Sequence, residues 1–216
     1  MIKQYICVAV LSLVTCYFPL EVCATTTIKS VVPESIKPSI LSVRPDDIAL
    51  GKPDAKVVVF HYFSLTCPHC ADFHFDVLPQ IQKNFIDTGK VYYVLRCLPS
   101  TQSSRLATLL VNCISDKRFE VISGLLESQS LWAFSKDYTK QLEHFGQLAG
   151  LSHEDYEQCM NNKTLETSIM NEAYVDARAL DINSIPTFFI NGEKVVGSLP
   201  YDVIAKKIEE AELKLQ

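Results

Sequence analysis

Residues Val57 to Phe63 form a nearly continuous apolar run, the pattern of a central strand buried on both faces. Beyond it Ala71, Phe75, Leu78, Ile81 and Phe85 recur at helical spacing with Pro79 inside the pattern, which predicts one long, kinked helix ending by Gly89. Val91 to Leu95 is the next strand, and strand, helix and strand in this order make a right-handed βαβ unit with parallel strands. From about Thr101 to Leu180 strand signals are scarce and helical windows frequent, such as Leu106, Leu109, Leu110, Cys113 and Ile114. This stretch reads as an inserted helical subdomain, with Trp132 and Phe134 assigned to its core. Strand signals return at Thr187 to Ile190, turn at Asn191-Gly192, a dipeptide suited to a type I′ turn, and resume at Lys194 to Val196. A last helix, with Ser198 as its cap, is expected to run to the end. The fold class is therefore α/β with an α-helical insertion: residues 57–100 and 181–216 make the two parts of the sheet unit, and 101–180 the insertion.

The first 24 residues have a different pattern. Lys3 precedes an apolar run from Ile6 to Leu20, and Val22-Cys23-Ala24 ends in small-residue character, so 1–24 reads as an export signal cleaved near Ala24. About 15 apolar residues interrupted by Pro19 fall short of the ~20 needed to span a bilayer. Residues 25–56, rich in Thr, Ser and Pro at their start, read as an arm or linker. Export changes the reading of the cysteines: of eight, Cys7, Cys16 and Cys23 leave with the leader, and Cys67, Cys70, Cys97, Cys113 and Cys159 remain. An odd number in an oxidising compartment permits at most two internal bridges and leaves one thiol over. The formal charge of -5, with 20 Lys and Arg scattered along the chain, supplies no basic stripe for nucleic acid.

Cys67-Pro68-His69-Cys70 lies where the first strand passes into its helix, at the carboxyl edge at which α/β sheets hold their sites. A cysteine at a helix N-terminus faces free backbone N–H groups and the positive end of the helix dipole, which favour the thiolate. Cys67 is thus the predicted nucleophile, and Cys70 is near enough to attack a mixed disulfide formed there. His69 between them can favour the Cys67 thiolate, stabilise the reduced pair and so make its disulfide oxidising. A rival use is metal binding by Cys67, Cys70 and His74, but a structural zinc site needs a fourth ligand, and no second Cys-X-X-Cys or His pair occurs. No metal and no cofactor are assigned. A purely structural role for so short a disulfide loop is disfavoured, because closing it constrains the unfolded chain little.

The segment Ser64-Leu65-Thr66-Cys67-Pro68-His69-Cys70-Ala71-Asp72-Phe73-His74, taken with Ser184-Ile185-Pro186-Thr187-Phe188-Phe189-Ile190-Asn191-Gly192, resembles the DsbA-type periplasmic oxidases, especially their alphaproteobacterial branch. The resemblance covers roughly residues 44 to 212. It implies a thioredoxin fold in which Pro186 is cis and the Ile185 backbone pairs with a bound substrate strand. It also implies a Cys113–Cys159 bridge, with Cys97 as the leftover thiol. In one respect the chain departs from the family, which commonly carries a buried Glu six residues before the first cysteine; His61 stands there. His61 can accept a proton from the resolving thiol or only pack, and sequence leaves both open. The activity implied is a monomeric periplasmic dithiol oxidase that introduces disulfides into reduced exported client proteins and is reoxidised by a quinone-linked membrane protein. An isomerase or reductase, and a metal- or client-binding chaperone on the same fold, are the alternatives.

Overall fold

In the computed structural model, which describes residues 40–215, five strands form one sheet: β1 (Ile48–Leu50), β2 (Val57–Phe63), β3 (Val91–Cys97), β4 (Thr187–Ile190) and β5 (Glu193–Val196). Their order is β1-β3-β2-β4-β5. Only β2 and β3 run parallel, joined by the crossover helix; the other neighbours are antiparallel. β2 is central, which explains its apolar run. Its odd residues Val57, Val59 and Phe63 pack toward the helix that follows, and Phe60 and Tyr62 pack on the opposite face against Val94, Ala179 and Phe189. The β4–β5 turn has Asn191 at φ 46° and Gly192 at φ 87°, both in the left-handed region that a type I′ turn requires.

The crossover helix is a relay of short pieces: α1 (Pro68–Asp72), a π turn over Phe73–Val77, α2 (Leu78–Ile81) and a second π turn over Gln82–Ile86. Pro79 has no N–H to continue the α ladder. The preceding π turn absorbs the break, since the Leu78 N–H reaches back to the Phe73 carbonyl. The insertion comprises α3 (Gln102–Cys113), α4 (Arg118–Glu127), α5 (Gln129–Trp132), α6 (Tyr138–Leu148), α7 (His153–Met160) and α8 (Lys163–Ala179). The chain closes with α9 (Tyr201–Leu213).

Three sequence expectations are corrected. The segment read as an arm belongs to the sheet from residue 40 onward: Ile40 is buried, β1 pairs with β3, and the buried Arg96 on β3 donates to the Ile40 and Ser42 carbonyls. Three residues of strand were too short to register as a period. The last helix begins after Pro200 and not at Ser198, because the residue before a proline is pushed toward extended backbone. Finally, Trp132 is fully buried, but Phe134, past the end of α5, is 68% exposed. The leader at 1–24 and the first part of the arm lie outside the described residues.

Candidate active site

Cys67 is the N-cap of α1, in extended conformation, with Pro68 at the first helical position, where a missing N–H costs nothing. The cysteine is half-buried and Cys70, one turn further on, is fully buried. The Cys67 carbonyl accepts from the N–H groups of Cys70 (3.0 Å) and Ala71 (3.2 Å), which starts the helix. The Cys67 thiol is pulled down to about 6, first by the Cys70 S–H donating to it and then by the N–H groups of Cys70 and His69; partial burial opposes these. The same contact drives the Cys70 thiol far upward, and burial adds to it. The arrangement thus favours ionisation of Cys67 over that of Cys70 beneath it, and both are free of disulfide in this structure.

His69 acts on Cys67 mainly through its backbone, for its imidazole is 77% exposed and lies 3.5 Å from Asp72. Opposite the dithiol, the Ile185–Pro186 peptide bond is cis, and the Cys67 sulfur faces the Ile185 carbonyl at 3.8 Å. His74, the third member of the metal alternative, is turned to Ser123, its Nε2 lying 2.8 Å from the hydroxyl. Sγ of Cys113, at the end of α3, is bonded to Sγ of Cys159 in α7. Cys97 is free and partly exposed as a residue, but its thiol is enclosed, and burial pushes it up to about 12.

His61 lies in β2 opposite Leu95 of β3 and Phe188 of β4. It is 1% exposed and boxed by aromatic rings, stacked on Phe188 at 4.5 Å and edge-on to Phe73 at 5.3 Å. Its Nδ1 is 2.9 Å from the Tyr93 hydroxyl, and its Nε2 is buried without a partner among the described residues. Burial, and secondly the nearby His74, lower the imidazole to about 3, so it is neutral at ordinary pH. Tyr93 is raised well above its usual range by burial and then by its electrostatic coupling to Cys70, so that His61, Tyr93 and the Cys70 thiol form one group.

Sequence reasoning missed Tyr93, although alternation along β3 places Val91, Tyr93 and Leu95 on one face and parallel pairing sets that face beside His61. It also missed the Gln129 side chain, whose Nε2 donates to the carbonyls of Leu65 (2.9 Å) and Cys67 (3.2 Å). No local pattern announces a contact across 62 residues.

Comparison with known proteins gives a consistent result. The thioredoxin family model matches residues 43–210. A Rickettsia felis protein provisionally named as a protein-disulfide oxidoreductase is 37% identical over 181 residues, covering 82% of this chain and 64% of that one. A Rickettsia conorii relative of the same name is 34% identical over 171 residues, covering 78% and 61%. The chain therefore spans less than two thirds of the length of these relatives. Among solved structures, Wolbachia pipientis alpha-DsbA1 superposes with a TM-score of 0.76 at 28% identity, covering 83% of this chain and all of that one. BdbD of Bacillus subtilis, solved in its oxidised form, gives 0.70 at 25% identity, covering 77% and 93%.

Proposed function

The chain belongs to the thioredoxin family and to its DsbA-type members, and from that membership we propose that it is a thiol:disulfide oxidoreductase that introduces disulfides into reduced exported proteins. The observation that carries this reading is the placement of the dithiol, with Cys67 half-exposed at the cap of α1 and Cys70 closed off beneath it, an arrangement that lowers the first thiol and raises the second. A stabilised thiolate stabilises the reduced enzyme, and an enzyme stable when reduced is an oxidant when oxidised. A client thiolate attacks Cys67 of the oxidised pair, and the Cys67–Cys70 bond breaks as the mixed disulfide forms. A second client thiolate then attacks the client sulfur of that bond. The client leaves oxidised, and Cys67 leaves as the thiolate for which its site is built.

Cys70 takes up a proton when it is expelled and loses one when the pair is reoxidised. His61, neutral and buried with an unpartnered ring nitrogen, is proposed to relay that proton and not to store it, because burial disfavours the charged imidazole. The Ile185 carbonyl, facing Cys67, is the proposed backbone contact for an extended client segment, which would make recognition loose in side-chain sequence. An oxidising compartment is supported by the Cys113–Cys159 bridge, and export to the periplasm by the leader-like residues 1–24. Reoxidation by a quinone-linked membrane protein, and action as a monomer, complete the proposal. The dithiol reduction potential tests its direction: a value nearer the about -120 mV of DsbA than the about -270 mV of thioredoxin is expected. A thioredoxin-like value, with no oxidation of a reduced, cysteine-containing test protein, would make the enzyme a reductase.

A further inference from the structure

The turn that carries the nucleophile is fastened from outside. In it the Cys67 N–H donates to the Ser64 carbonyl at 3.1 Å, and Leu65, at its second position, is fully buried. A buried carbonyl in a turn requires a donor that the turn itself cannot supply. The Gln129 side-chain amide supplies it, donating to the buried Leu65 carbonyl at 2.9 Å and also to the Cys67 carbonyl at 3.2 Å, which already accepts from the helix. Gln129 is itself buried, and the short helix that bears it is held in place on both sides. The Trp132 indole N–H donates to the Leu125 carbonyl at 2.7 Å, and the Ser103 hydroxyl donates to the Ala133 carbonyl at 2.9 Å.

We propose that Gln129 is a positioning residue for the redox site: from the helical insertion it fixes the Ser64–Cys67 turn, and so holds the Cys67 sulfur above the buried Cys70 and facing the Ile185 carbonyl. The role depends on the amide's donors and not on its bulk. Without them the Leu65 carbonyl is left desolvated and unpaired, and the turn shifts to find water or another donor. Even a small movement of the turn carries the Cys67 sulfur with it, and hydrogen bonds to a charged sulfur weaken steeply with geometry. The inference rests on the thiol-exchange reading above and extends it, since it makes the helical insertion part of the chemistry as well as of the fold.

Gln129→Met keeps the length and roughly the volume of the side chain and removes both donors. The pH at which Cys67 becomes alkylable, followed on the full chain, is expected to rise by about one unit, which corresponds to about tenfold less thiolate on the acid side of the midpoint. Far-UV dichroism and Trp132 fluorescence should stay as in the unaltered protein. Gln129→Glu provides the rescue: protonated, its carboxyl donates one hydrogen bond and Cys67 reactivity approaches the unaltered level, whereas ionised it repels both carbonyls and reactivity falls further. An unchanged midpoint in folded Gln129→Met, or in folded Gln129→Leu if the first variant does not fold, overturns the proposal. Failure of the unaltered protein to exchange thiols with any test protein would overturn the functional reading, an outcome distinct from either variant result.

Discussion

Cys67 and Cys70 belong to one turn of one helix, yet one is half-buried and the other closed off from water, and the hydrogen bond between them pushes their acidities apart. Alkylation of the reduced protein near pH 7 is therefore expected to label Cys67 and to leave Cys70 and Cys97 unmodified. Peptide mapping checks this, and dominant label on Cys70 would reverse the assignment of nucleophile and resolving thiol. His61 contributes at the same scale. Its pKa is about 6.5 in an unfolded chain and about 3 when folded, so the unfolded state takes up the proton first. The stability gained from keeping it neutral is complete above about pH 6.5 and is lost progressively as pH falls toward 3. His74, lowered to about 4, titrates in the same window, so the comparison must be between proteins that differ only at His61. His61→Leu is expected to flatten part of the acid-side fall in denaturation midpoint while slowing reduction and reoxidation of the dithiol. A folded His61→Leu protein with unchanged exchange rates between about pH 5 and 8 would reduce His61 to core filler.

At the scale of elements, the crossover helix shows how the chain reconciles a proline with a continuous helix, and the insertion shows how six helices are joined to a small sheet. The Cys113–Cys159 bond connects the end of α3 to α7 across 46 residues. In the chain-entropy account a loop of that length stabilises by about 4 kcal/mol, an upper figure wherever the unfolded chain keeps some structure. Replacing both cysteines by serine is expected to lower the unfolding free energy by about 2–4 kcal/mol in a urea titration. Alkylation of Cys67 should keep the same pH dependence, since the bridge is part of the scaffold and not of the dithiol. A double variant as stable as the unaltered protein would mean that the bond adds nothing to the fold.

Across the whole described molecule, three segments distant in sequence meet on the face of the sheet away from the crossover helix. Arg96 of β3 holds both carboxylate oxygens of Asp47 at 2.9 and 2.8 Å, and its other arm reaches the Tyr62 hydroxyl at 3.0 Å and Asp176 of α8 at 3.4 Å. Arg44 closes the group, donating to Asp176 at 2.5 Å. All the buried charges are paired, which is the condition for tolerating them; such a network secures arrangement more surely than it adds stability. Arg96→Met strips Asp47 of its paired cation and is expected to cost about 3–5 kcal/mol in denaturant unfolding. A loss below about 1 kcal/mol would show the pairs to be solvated and weak.

The apolar run of β2, the spacing of α1 and α2, the Asn-Gly turn and the placement of Cys67 at a strand-to-helix junction were all legible in the amino-acid order, because each rests on neighbours within a few residues. The strand β1 was not, for its three residues acquire their role only from β3, and Phe134 could not be separated from Trp132 by apolar character alone. Nor could any local pattern put Gln129 against the carbonyl of Cys67, Tyr93 against His61, or Arg96 between two carboxylates. Sequence by itself determined which chemistry the chain carries and on which elements, since helix termini and strand alternation act over a turn or a residue pair. Only the tertiary structure decided which thiol is exposed, which imidazole is dry and what holds the redox turn in place, because burial and buried hydrogen bonds depend on atoms brought together by folding from distant parts of the chain.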